Sequence, residues 1–221
     1  MVGTPLEKGS LRHYAKCETE GWICREWDLS LALSSCVEYD QKRLNLMRRY
    51  CNSLNPKIKV SYTAATVKIC QKKHLHRTLE EFKGFKAAQN IVAGIVKFME
   101  IKLVHGDLCA SNIGFGKKGE LLVFDWEPFL KTQPPNLRWV ELRTSKFALH
   151  PNDGSEGRIT TRSDLFAVGA LLLQALHGRY RGLKLCQIHQ NSIANIAEHT
   201  AHPAATAEAL LNFANEIKVK K

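Results

Sequence analysis

No apolar run in the 221-residue chain approaches the roughly 18 residues that a membrane-spanning helix needs. Residues 1–25 lack a basic stretch followed by an apolar one, the pattern of a secretory signal. The 7 cysteines include no CxxC pair and their number is odd. That argues against a paired disulfide framework or a zinc site and predicts reduced thiols in a cytoplasm. No internal repeat, low-complexity tract or Gly/Ser linker is present, which excludes solenoids and tethered modules. Aromatic residues make up 8% and do not interleave with basic ones in the manner of single-strand nucleic-acid binders.

Hydrophobic residues at 44% and charged residues at 24% are an ordinary globular balance. The length suits one domain with a sizeable core, or one domain in two lobes. The 32 basic residues exceed the 21 acidic ones by 11, but they are spread over Lys42–Arg43, Arg48–Arg49, Lys57–Lys59, Lys72–Lys73 and Lys218–Lys221. They form no dense block, so the charge reads first as solvated faces rather than as a nucleic-acid surface.

The apolar spacing predicts a strand over 11–17 and a helix over about 22–35, where Ile23, Trp27, Leu31 and Ser34 share a face. A second helix is expected over 39–50, and strands over 58–60 and 64–70. Thr78 and Glu81 have capping-box spacing for a short helix over 78–82. Ile91, Ile95, Phe98 and Met99 form the buried stripe of a helix over 87–100. Short apolar runs lie at 102–104 and 121–124, and Gly114, Gly116 and Gly119 predict a hairpin connection. Residues 165–176, LFAVGALLLQAL, are apolar on all sides except at Gln174 and too short to span a bilayer. They are expected to form a helix buried at the domain centre, with Ser163 at its cap and Asp164 at its positive end. Further helices follow over 187–221. The class is α+β, mixed at the front and mostly helical behind.

The chemistry concentrates in His105–Glu127, HGDLCASNIGFGKKGELLVFDWE. Asp107 and Asn112 lie five apart in a loop after a short apolar run, and Asp125 follows the next one. Hard divalent cations take oxygen ligands, and Mg²⁺ in particular binds through one or two carboxylates plus phosphate oxygens. A further carboxylate can orient a hydroxyl and accept its proton. One Asp for a hydroxyl, with one Asn and one Asp for metal, is a phosphoryl-transfer set.

HGDLCASN at 105–112 and DWE at 125–127 resemble the catalytic loop and metal loop of the protein-kinase superfamily. TTRSDLFAVGALL at 160–172 resembles its central helix, through Ser163, Asp164, Phe166 and Gly169. RTSKFALHPND at 143–153 resembles the end of an activation segment. The resemblance implies a two-lobed kinase-like fold over 1–221, with a reduced N-terminal lobe at 1–72 and a mostly helical C-terminal lobe at 73–221.

It also implies ATP and Mg²⁺ as cofactors, Asp107 as the catalytic base, and Asn112 and Asp125 as metal ligands. Tyr14-Ala15-Lys16 resembles the A-x-K whose Lys holds phosphates. Glu26 on the first predicted helix would be its partner, with Glu38 the second choice. Gly9, in a glycine loop of minimal length, and Cys70 would lie beside the nucleotide. A protein hydroxyl, serine or threonine, would be the acceptor, with no specific nucleic acid and no membrane span, in a monomer. The size and stripped regulatory parts are similar to minimal kinases that bacteria deliver into host cells, which implies action in a cytoplasm.

The chain also departs from that pattern. Gly106 replaces the Arg that commonly pairs with a phosphorylated activation segment, which implies independence from that switch. Cys109 replaces a Lys of the catalytic loop. Asn152, Ala204 and Ala205 stand where an ion pair is common, and losing both partners is far less costly than losing one. HGD and DWE are also similar to aminoglycoside and choline kinases, so a small-molecule phosphotransferase is the alternative. A binding module that kept the fold without activity is the third reading.

Overall fold

Residues 22–28 and 66–72 alternate between two faces along seven paired positions, and that pairing dominates the front of the chain. The computed structural model describes residues 16–19, 21–28, 37–39, 45–47, 49, 58–63, 66–72, 76–126, 129–131, 160–178, 187–199 and 201–217. They are a mixture of α-helices and small antiparallel sheets. Two compact units are present: Met1–Leu75 with Phe124–Thr132, and His76–Val123 with Gln133–Lys221.

In the first unit, β1 (Lys16–Thr19), β2 (Trp22–Asp28), β4 (Ile58–Tyr62) and β5 (Thr66–Lys72) form an antiparallel sheet in the order β1-β2-β5-β4. A separate pair joins β3 (Val37–Tyr39) to β8 (Phe129–Lys131). Ile58, Val67 and Ile69 are buried on the inner face of the sheet, while Lys59, Ser61 and Lys72 are exposed on the outer face. The register puts Ile23, Arg25 and Gln71 with the inner set, and Trp22, Cys24, Glu26, Lys68 and Cys70 with the outer set. Lys59 covers the Trp22 ring at 4.3 Å on that outer face.

The helix expected over 22–35 is corrected here: Trp22–Asp28 is a strand. Ile23 and Trp27 satisfy a period of two as well as a period near four, and the run WICREWD is rich in residues that favour pleated surfaces. Glu26 accordingly stands on a strand, opposite Lys68. Tyr39 belongs to a strand rather than to a helix, although residues 45–47 and Arg49 are helical. The expectation of reduced thiols is also corrected. Cys24 and Cys70, directly opposed on β2 and β5, form a disulfide.

The second unit is built on α1 (Phe85–Glu100) and α2 (Thr161–His177). Ala87, Ala88, Ile91, Ile95, Phe98 and Met99 of α1 are buried, the stripe the spacing predicts. α2 is buried continuously from Ser163 to Leu173. It packs against α1, α3 (Gln187–Ala197) and α4 (Pro203–Glu216). Ser163 is one turn inside the helix rather than at its cap: its hydroxyl accepts the Thr160 N–H at 3.0 Å. Among the described residues no helix is long and apolar enough to cross a membrane.

Gly169 sits where α2 meets α3, and a Cβ there would lie 2.7 Å from Ile193 Cγ2. Gly169→Ala is therefore expected to destabilise the protein by about 1–3 kcal/mol through overpacking. Thermal unfolding checks this: an unchanged midpoint would mean that α3 shifts without cost.

β6 (Ile113–Phe115) and β7 (Leu121–Val123) form the glycine-turned hairpin that the sequence predicts. Gly119, at φ 82°, makes the turn, and the Asn90 amide donates to its carbonyl at 2.6 Å. Residues 78–82 form a turn rather than a helix, yet the capping-box bonds are present: Glu81 accepts the Thr78 N–H at 2.7 Å, and Thr78 Oγ1 accepts the Glu81 N–H at 3.3 Å. The Thr78 amide and then its hydroxyl hold the Glu81 carboxyl below the usual carboxylate range. The apolar run at 102–104 forms no strand.

Candidate functional site

In the second unit, His105–Cys109 is a loop that runs into a 3-10 turn at Ala110–Asn112, and its head is held by one carboxylate. Asp164, 1% exposed near the start of α2, accepts the His105 N–H at 2.6 Å through Oδ2 and the Gly106 N–H at 2.8 Å through Oδ1. A charged acceptor shared by two buried amides makes bonds roughly twice as strong as neutral ones. Gly106 has φ 85°, a conformation that side chains rarely adopt, so the residue between His105 and Asp107 needs glycine. His105 is itself buried, and its Nδ1 accepts the Asp107 N–H at 3.2 Å. That bond fixes the tautomer with its proton on Nε2.

Asn112 closes the other end of the loop. Its Nδ2 donates to the Asp107 carbonyl at 2.8 Å and lies 3.5 Å from Asp107 Oδ2. Asn112 is 8% exposed, and its Oδ1 receives only a 3.5 Å approach from Ser111 Oγ. With Nδ2 committed, the amide presents Oδ1 as its remaining acceptor. Asp107 and Asn112 are thus brought together, Asp107 half-buried and Asn112 buried. Cys109 is a buried thiol whose Sγ lies 3.0 Å from Ser111 Oγ, so its place here is in the loop's interior packing.

Asp125 belongs to the first unit, two residues past the end of β7. It has φ 61°, the left-handed region, which Asp enters more readily than most residues. Two residues on the inner face of the sheet hold it. Gln71 Oε1 accepts its backbone N–H at 3.2 Å, and the Arg25 guanidinium forms an ion pair with its carboxylate. Trp126, which follows, is buried.

The other expected site residues are dispersed. Lys16 is the first residue of β1, and its cross-strand partner is Arg25. Glu26 follows Arg25 along β2 and faces the opposite side of the sheet from it. Glu38 lies on β3 opposite Leu130. Cys70 is bonded to Cys24. Gly9, Tyr14, Ala15, Glu127 and the stretch at 143–153 lie outside the described residues.

Three contributors were missed from the sequence. Arg25 and Gln71 were hidden because residues 22–28 read as a helix, which gave them no common face with anything. Asp164 enters the sequence reading through the helix dipole and the central-helix resemblance, not as the acceptor for the loop's amides. Its burial beside Ser163 on an otherwise apolar helix was the available signal, since a buried carboxylate demands donors.

Among the described residues no cluster of three or more His, Cys, Asp or Glu side chains could hold a metal by itself. A Mg²⁺ ion that takes most of its ligands from phosphate and water needs no such cluster. Asn112 Oδ1 is an oxygen of the right type. Asp125 already has a cation in Arg25, so metal there would have to share its carboxylate. No family model and no curated protein matches the chain.

Proposed function

We propose that this chain is a compact ATP-dependent phosphotransferase of the protein-kinase type, two-lobed with a reduced front lobe, acting on a serine or threonine hydroxyl of a protein. In this reading it works in a cytoplasm, in the manner of kinases that bacteria deliver into host cells. The observation that carries the reading is the support given to His105–Asn112. One buried carboxylate holds both amides at the head of the loop, and Asn112 clamps the carbonyl of Asp107. Such a loop is rigid where a base must be aimed.

In the proposed mechanism Asp107 orients the acceptor hydroxyl and takes its proton as the phosphoryl group transfers. Asn112, through Oδ1, and Asp125, each within its own unit, would be the residues to offer oxygen to Mg²⁺. When bound, Mg²⁺ neutralises charge on the phosphates. Arg25, with Lys16 across the β1–β2 pair from it, supplies the protein's own positive charge toward those phosphates. Glu26 alternates with Arg25 along β2, so in this reading Asp125 is the group that positions the Arg25 guanidinium.

Incubating the protein with γ-labelled ATP, Mg²⁺ and a cell lysate tests the reading. Labelled protein is expected, and Asp107→Asn is expected to reduce it by a factor of about 100 or more. Absence of label in protein and in small molecules alike would overturn the proposal. The HGD and DWE steps, which resemble those of aminoglycoside and choline kinases, support a second reading, transfer to a small-molecule hydroxyl. Label confined to the small-molecule fraction would select it.

A further inference from the structure

The two groups that hold Asp125 lie on either side of one covalent rung. In the β2–β5 pairing, Arg25 is opposite Ile69, Cys24 is opposite Cys70, and Ile23 is opposite Gln71. The disulfide therefore occupies the rung between the one that carries Arg25 and the one that carries Gln71. The bridge is on the outer face of the sheet, while Arg25 and Gln71 project from the inner face as diagonal neighbours. One binds the Asp125 carboxylate and the other its backbone N–H. Asp125 is thus anchored to both strands, in a left-handed conformation that its surroundings must maintain.

We propose that Gln71 is a positioning residue for Asp125, on a mount whose spacing is set by the Cys24–Cys70 disulfide. The bridge keeps the paired Cα atoms 3.9 Å apart, closer than the roughly 4.5 or 5.5 Å of unbridged antiparallel pairs. Opening it lets that rung widen and alters the offset between Arg25 and Gln71. The other rungs keep the sheet intact, so the effect is on placement rather than on folding. A dithiol is the reductant: its thiolate attacks Cys70 Sγ, the half-buried sulfur of the pair, and Cys24 leaves as thiolate. The second thiol of the reductant closes its own disulfide and releases Cys70. Two electrons and two protons pass from the dithiol to the two cysteines.

The proposal rests on the phosphotransferase reading for its consequence, but its test does not. Amide hydrogen exchange at Asp125, followed by NMR on the full chain, reports the Gln71 bond directly. Gln71→Leu is expected to speed that exchange at least tenfold and to lower kcat/KM for MgATP about tenfold. Reduction with dithiothreitol, or the double variant Cys24→Ser with Cys70→Ser, is expected to speed it severalfold. Exchange at the Asn112 amide, held by the Cys109 carbonyl in the other unit, is expected to stay constant. Unchanged exchange at Asp125 in Gln71→Leu overturns the positioning role. An effect of Gln71→Leu without any effect of reduction overturns the brace. If Gln71→Leu does not fold, Gln71→Thr, too short to reach the Asp125 N–H, decides the same question. Exchange that responds as expected, in a protein with no phosphotransfer in either redox state, would sink the proposed function and leave the mount standing.

Discussion

Asp164→Ala is expected to abolish phosphotransfer and to lower the thermal midpoint on the order of 5–10 °C. Asp164 is 1% exposed and accepts two backbone amides, from His105 and Gly106. Hydrogen bonds to a charged partner contribute about 1.5–3 kcal/mol each, and a buried N–H left unmade costs a similar amount. The loss should therefore reach roughly 3 kcal/mol, which for a chain of this size is several degrees. Asp164→Asn is the sharper probe. It keeps the shape and one acceptor but turns an NH₂ toward an N–H donor, so one of the two bonds becomes a clash of donors. It should fold with a smaller loss of stability and still lose most activity, because the amide that is no longer held lies within two residues of Asp107. Thermal unfolding followed by circular dichroism, beside the transfer assay, separates the two effects. A stable and fully active Asp164→Asn protein would mean that Asp107 does not depend on this support.

The back of the chain was legible because its signals were one-sided. LFAVGALLLQAL had no polar face, so only a buried helix suited it, and α2 is buried along nearly its whole length. The stripe Ile91, Ile95, Phe98, Met99 had a single period, and α1 buries it. The glycines between residues 113 and 121 marked a hairpin, and one of them, Gly119, needs the positive φ it has. HGDLCASN carried its loop in its spacing: Asn112 reaches back to the carbonyl of Asp107.

The front was ambiguous for a physical reason. Ile23 and Trp27 lie four apart, which satisfies a helical face and a strand face alike. Pairing along seven positions with β5 decided between them, and no local pattern encodes that partner. The same long-range pairing brought Cys24 to Cys70 across a sequence separation of 46 residues. Scattered, odd-numbered cysteines gave no hint of it. Once β2 is a strand, Arg25 and Glu26 are forced to opposite faces, and the cation beside Asp125 becomes Arg25.

Arg25→Met is accordingly expected to reduce kcat/KM for MgATP about a hundredfold, more than Lys16→Met does. The scale is that of removing one preorganised charge from a transfer site. Arg25 lies on the inner face of the sheet and is ion-paired to Asp125, with both side chains at 25% and 19% exposure. In the proposed mechanism, removing the guanidinium takes positive charge from the phosphates; it also leaves the Asp125 carboxylate without its ion-pair partner. Arg25→Lys keeps the charge but loses the planar fork, so an intermediate rate is expected. The double variant Arg25→Met with Asp125→Asn should lose less than the sum of the two single losses, since the residues act as one unit. Additive losses would show that the ion pair has no part in the reaction. Should Lys16→Met be the more damaging change, the phosphate-binding charge is on β1 and Arg25 serves only to place Asp125. If neither change matters while Asp107→Asn abolishes transfer, the charge that meets the phosphates comes from a part of the chain other than the β1–β2 pair.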